Sequence, residues 1–124
     1  MVKDRFKFRV WDKRLNRYLG KNDPMQMLLE NGNLAYLDDE GMKFYEVEFC
    51  TGLKDKNGKL IYEGDIVRCS YGSEYYVGCV VWDYEEIQFS MEVSEELYSF
   101  SQHSDSHKIE IIGNIHENPD LIES

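Results

Sequence analysis

His103 and His107 stand four residues apart with Asp105 between them, the spacing at which a helix would turn both imidazoles toward one metal ion. Ser99, Ser101, Ser104 and Ser106 argue against that helix, because serine hydroxyls bond nearby backbone in competing turns. No third histidine lies close in sequence. The segment reads as a loop, and no metal is expected. Asp55–Lys56–Asn57–Gly58 has the look of a calcium loop, but an EF-hand aligned on Gly58 would need an acid at Leu53 and a bidentate glutamate at Gly64. It reads as a hairpin turn instead. Cys50, Cys69 and Cys79 are odd in number, widely spaced and without a C-x-x-C pair. Set among strand-like residues, they are expected to be reduced and to pack as small apolar side chains.

Carboxylates are abundant, yet acid–base catalysis needs two of them in one pocket with separated pKa values. No G-x-S-x-G, Walker-type or G-x-G-x-x-G pattern occurs. No catalytic residue and no cofactor is assigned, and a non-enzyme is expected. The aromatic residues are the stronger signal: nine Tyr, six Phe and two Trp, with Tyr71, Tyr75, Tyr76, Trp82 and Tyr84 in one hairpin region. They would serve as a stacking platform for single-stranded nucleic acid, as a protein hot spot, or simply as core and strand cover. Arg68 is the one base nearby, against Glu74, Asp83, Glu85 and Glu86. A nucleic-acid groove there lacks its electrostatic half, so a protein partner is the better reading.

The formal net charge is -10, which keeps a chain soluble and repels nucleic acid at long range. The average conceals an asymmetry. Residues 1–21 carry a net of +6, whereas residues 63–124 hold two bases, Arg68 and Lys108, against 14 acids. Such polarity invites contact between unlike surfaces, within one subunit or between neighbours. Arg5 and Arg9 on the basic N-terminal strand, with Tyr75, Trp82 and Tyr84, are therefore the expected partner or oligomer contacts, and a homo-oligomer is expected.

Strands must position these residues. Lys3 to Val10 alternates, with Phe6, Phe8 and Val10 on one face and Lys3, Arg5, Lys7 and Arg9 on the other. Asp12 to Asn16 reads as a turn and Arg17–Leu19 as a short return strand. Met25–Leu29 and Leu34–Leu37, joined by Asn31–Gly32–Asn33, suggest a further hairpin. Tyr45–Thr51 alternates with Tyr45, Val47 and Phe49 on one side. Asn57–Gly58 predicts a tight turn in which two positions take positive φ. Ile66–Cys69, Tyr75–Trp82, Ile87–Val93 and Ile109–Ile115 follow as strands, while Ser94–Lys108 holds either a short helix from Glu95 or a mobile loop. Asn118–Leu121 begins at most a short terminal helix. The buried set is expected to be Phe6, Phe8, Val10, Val47, Phe49, Ile66, Val80, Ile111 and Ile115.

The fold class is all-β: a small SH3-like barrel or sandwich built from hairpins. At 124 residues the chain has length for one domain, with residues 1–50 as N-terminal strands and hairpin and residues 51–124 as the barrel-like part. No apolar run approaches the ~20 residues of a membrane helix, and the charged N-terminus is unlike a signal peptide. A cytoplasmic protein with no membrane contact is expected.

The stretch Thr51–Val67, TGLKDKNGKLIYEGDIV, resembles the signature of the YopX family of phage and prophage proteins. Phe8–Arg9–Val10–Trp11–Asp12 near the start and Ile112–Gly113–Asn114–Ile115–His116–Glu117–Asn118–Pro119 near the end agree with it in the family's order. The resemblance implies a β-rich fold in a phage- or prophage-encoded protein of a bacterial cell. It implies no activity and no catalytic residues. Its glycines suit turns, so the motifs are expected to specify fold. The expected function is a non-enzymatic accessory protein that works through protein contacts with a host or phage partner. The alternatives are a nucleic-acid-binding SH3-like module using the basic N-terminal strand, and an acidic DNA-mimicking inhibitor.

Overall fold

A computed structural model describes residues 7–31, 39–71, 73–100 and 108–122, apart from the Tyr71 side chain. The chain forms two compact units, one of Phe8–Phe49 and the other of Met1–Lys7 with Cys50–Ser124. The expectations for Phe6, for Leu34–Leu37 as a strand, and for His103 and His107 lie outside the described residues. Among the described residues no helix is long and apolar enough to cross a membrane. The protein is strand-rich, as its alternating patterns predict.

In the Phe8–Phe49 unit, β1 (Phe8–Asp12) lies between β2 (Arg17–Tyr18) and the first half of β3 (Tyr45–Lys54), antiparallel to both. Val10 and Trp11 are buried, with Leu29 from α1 (Pro24–Glu30). This helix replaces the strand expected at Met25–Leu29. Pro24 sets the first helical φ, and Gln26 and Leu29, three apart, share the buried side. A second short helix, α2 (Asp39–Met42), precedes β3.

The face assigned to β3 needs correction. Phe49 is 50% exposed and Val47 only half-buried, whereas Glu48 between them is 3% exposed. Phe8 too is only half-buried, its ring tilted against that of Phe49 with the centres 6.3 Å apart. A strand buries whichever alternate set finds partners, and here the carboxylate of Glu48 does.

In the other unit, Cys50 and Lys54 of β3 pair with β4 (Leu60–Tyr62). A five-stranded antiparallel sheet follows in the order β8-β7-β6-β5-β9, made of β5 (Asp65–Tyr71), β6 (Glu74–Asp83), β7 (Gln88–Val93), β8 (Glu96–Ser99) and β9 (Ile109–Asn114). Val67, Cys69, Val80, Met91 and Ile109 line one face and pack with Ile61 and Phe100. Ile66 is buried as expected, while Ile111 and Ile115 are half-buried. All three cysteines are free and buried, and burial pushes the Cys69 thiol upward.

β8 corrects the choice of helix or loop for its segment. Ser94 and Glu95 take φ of 50° and 71°, the pair of positive values that a two-residue hairpin turn requires. That turn folds Glu96 back onto Val93 and makes a strand of Glu96–Ser99. The Asn57–Gly58 turn is also different in kind. Gly58 has φ 81° but Asn57 does not share it, so the loop is a wider turn ending in a left-handed glycine. Short 3-10 structure at Pro119–Leu121 ends the described chain.

Candidate interaction surfaces

Asp55 explains the width of that turn. Its carboxylate is buried and accepts three backbone amides: Asn57 and Lys59 at 2.9 Å and Ile111 of β9 at 3.1 Å. Burial alone would raise this carboxyl, but the amides of Ile111, Lys59 and Asn57 outweigh it and hold the group below its ordinary value. Gly64, at φ 85°, and Asp65, whose Oδ2 accepts the Tyr62 amide at 2.8 Å, shape the next turn. The Thr51–Val67 motif thus serves turns and strand docking.

Arg9 does not stand free on its strand. Its Nε donates to Glu48 Oε1 at 2.8 Å, and its guanidinium lies 4.5 Å from the centre of the Tyr18 ring. The Tyr18 hydroxyl donates to the same Glu48 oxygen at 2.9 Å. Alternation along the strand does not reveal this hub, because it puts Glu48 on the solvent face. The cue would have been its position directly across from Arg9. Arg5 lies outside the described residues.

Other cations of this unit are also engaged. Arg17 meets Asp23 at 3.3 Å, where its hydrogen bond and the Gly20 amide lower the Asp23 carboxyl. Lys43 meets Glu40 at 3.0 Å. Arg14 donates to the Tyr45 hydroxyl at 2.6 Å and lies over the Phe44 ring at 4.8 Å. Exposed pairs of this kind add little to stability, but at Arg17 and Lys43 a carboxylate already occupies a cation that a phosphate would need.

The aromatic cluster divides along β6. Tyr75 and Tyr76, both exposed, sit at its start: Arg68 is 5.7 Å from the Tyr75 ring, and Tyr76 stacks with Tyr98 of β8 at 6.4 Å. Their flanks are acidic, since the Tyr98 hydroxyl donates to Glu96 at 2.9 Å, a bond that raises its own pKa. Trp82 and Tyr84 sit at the far end, on the order of 25 Å away at the usual rise per strand residue. They do not form one platform with Tyr75.

At that far end the structure repeats itself. Trp82 pairs with Phe89 and Asp83 with Gln88 across the β6–β7 hairpin, as Trp11 pairs with Tyr18 and Asp12 with Arg17 across β1–β2. In each, the two rings meet edge to face at 4.9 Å. Each aspartate is buried beneath a four-residue tip. Asp12 Oδ1 accepts the amides of Arg14 and Leu15 at 2.9 and 3.2 Å. Asp83 Oδ1 accepts those of Glu85 and Glu86 at 3.0 and 3.2 Å. The last tip residue is left-handed in both, Asn16 at φ 53° and Ile87 at φ 54°. One tip is Lys13-Arg14-Leu15-Asn16 and the other Tyr84-Glu85-Glu86-Ile87, opposite in charge. The shared Trp-Asp, four tip residues, one polar residue and an aromatic are visible in the sequence once the two stretches are aligned.

Fold and surface together define a small strand-rich protein with a buried ion-pair hub and two matched hairpins. The chain belongs to the YopX family, whose model, described as YopX protein, matches residues 7–123. It is similar to the crystal structure of protein EF1440 from Enterococcus faecalis, with 26% identity, 94% of this chain and 97% of that chain covered, and a TM-score of 0.62. No match was found among curated proteins.

Proposed function

We propose that this YopX-family protein is a non-enzymatic accessory protein of phage or prophage origin that acts through protein contacts and self-associates. The observation that carries this reading is the exposure of large apolar side chains beside carboxylates, with Tyr84 85% exposed next to Glu85 and Glu86, and Tyr75 63% exposed next to Glu74. Bare apolar groups of that size are what a protein partner desolvates. The nucleic-acid alternative has less support, because Arg9, Arg17 and Lys43 already meet carboxylates of their own chain within 3.3 Å.

The test measures mass in solution across a range of protein concentrations, beside binding to single- and double-stranded DNA at rising salt. A mass above that of one chain, with no DNA binding at low salt, supports the proposal. A monomer that binds DNA with a steep salt dependence overturns it in favour of the nucleic-acid module. A mass that never exceeds one chain removes self-association.

A further inference from the structure

The twin hairpins share a backbone, yet one of them carries the residue its turn favours and the other does not. Asparagine tolerates the left-handed region because its short polar side chain bonds locally, which suits Asn16. Isoleucine is branched at Cβ and is an outlier there. Ile87 nevertheless occupies that position, and burial does not compensate for it, since the side chain is 74% exposed. Tyr84, at the other end of the same tip, is more exposed still. Backbone strain that brings no packing within the chain is expected where a side chain is displayed for something else.

The tip is held from beneath. Asp83 holds the amides of Glu85 and Glu86, and Trp82 and Phe89 lock the stem beneath. A fixed tip loses little conformational freedom on docking. Between the two apolar side chains stand two carboxylates, which an anionic lipid surface would repel. A cationic, partly apolar surface would receive them.

This chain carries such a surface on its other hairpin tip. Leu15 is 58% exposed there, Arg14 spreads over the exposed Phe44 ring, and Lys13 binds the carbonyl of Met42. We infer that the β6–β7 tip of one molecule docks on the β1–β2 tip of a second, Tyr84 and Ile87 against Leu15 and Phe44, Glu85 and Glu86 against Lys13 and Arg14. The inference rests on the self-association reading and names its surfaces. Because the two surfaces differ, the contact is head-to-tail, and an open run of molecules keeps one tip free at one end and one receiver free at the other until it closes.

Two variants test it, each removing one side: Tyr84→Ser with Ile87→Asn, and Leu15→Asp. Masses are measured by light scattering alone and after equimolar mixing. Each variant alone should stay at the mass of one chain. The mixture should form a dimer and nothing larger, since it contains one intact tip and one intact receiver. Ile87→Asn by itself should weaken association at least ten-fold, yet melt higher than wild type at dilutions where both are single chains. A loss of association through misfolding would instead lower that melting point. A double variant that assembles like wild type, or a mixture that stays at single-chain mass, overturns the docking while leaving self-association standing. Wild type that is a single chain at every concentration overturns both. Binding of wild type, but not of the double variant, to phosphatidylcholine vesicles would assign the tip to lipid instead and overturn the inference.

Discussion

Asn16 and Ile87 occupy the same left-handed position at the ends of two equivalent turns, with φ of 53° and 54°. Each turn hangs from a buried aspartate, Asp12 or Asp83, and each stem is closed by an edge-to-face pair of rings. The repetition makes one hairpin an internal control for the other. What suits Asn16 locally is what Ile87 forgoes.

Exchange at the well-suited site should run the other way. Asn16→Ile is expected to destabilise the chain by about 1–2 kcal/mol, since it places a β-branched residue at positive φ. Chemical denaturation with an unchanged slope would register this as a lower midpoint. A midpoint equal to wild type would mean that the turn relaxes to another conformation.

The aspartates beneath the tips should matter more than any exposed ion pair. Asp12→Ala and Asp83→Ala each strand two amides that now have a carboxylate acceptor. Each should cost on the order of 1–3 kcal/mol. Asp83→Asn should recover part of the loss, because its amide oxygen still accepts. If alanine and asparagine were equally harmful at that site, charge rather than hydrogen bonding would be responsible.

The Ser94–Glu95 turn offers a gain. Both residues sit at positive φ without being glycine or asparagine. Ser94→Asn combined with Glu95→Gly supplies the pair this turn favours and should stabilise by about 1 kcal/mol. The unfolding midpoint should rise by roughly 4 °C for a chain of this size.

Asp55 should set the acid limb of stability. Its carboxyl is held below its ordinary value in the folded chain, so the folded state favours the charged form. The resulting stabilisation is fully present above the ordinary carboxylate pKa and is lost as pH falls through the lower folded value. Urea midpoints for wild type should therefore decline in that acid range, and Asp55→Asn should flatten the decline. It should also lower stability at neutral pH, since one oxygen now accepts two amides and the other a third.

Breaking the Glu48 hub should be costly in a way that its exposed neighbours are not. Glu48→Ala leaves the half-buried Arg9 guanidinium and the Tyr18 hydroxyl without this acceptor and should lose on the order of 3 kcal/mol. Arg17→Ala should lose far less, because the Arg17 guanidinium is half-exposed and its pair with Asp23 lies at the surface. Similar losses for both would contradict the importance given to burial.

Much of the strand order could be read from alternation, because period two and turn residues are local signals. Ile66–Cys69 and Tyr75–Trp82 emerge as strands, and Ile87–Val93 does so only from Gln88, because Ile87 closes the turn at positive φ. The turn expected at Asp12–Asn16 begins one residue later, after the last residue of β1. α1 was hidden by its shortness: seven residues give little more than one repeat from which to tell a helix from a strand. β8 was hidden because serine and glutamate at positive φ are not turn signals. The aromatic cluster could not be resolved along β6, since closeness in sequence becomes distance along an extended strand.

By itself the sequence determines that this is a strand-rich, acidic chain of the YopX family with Gly58 and Gly64 in turns, for these follow from residue type, spacing and local backbone preference. Tertiary structure alone decides that Glu48 is inside and Phe49 outside, because alternation names two faces without saying which one is covered. It also decides that Arg9 is spent on Glu48 and Tyr18. Those relationships join residues far apart in the chain, and long-range pairing leaves no periodic trace in sequence.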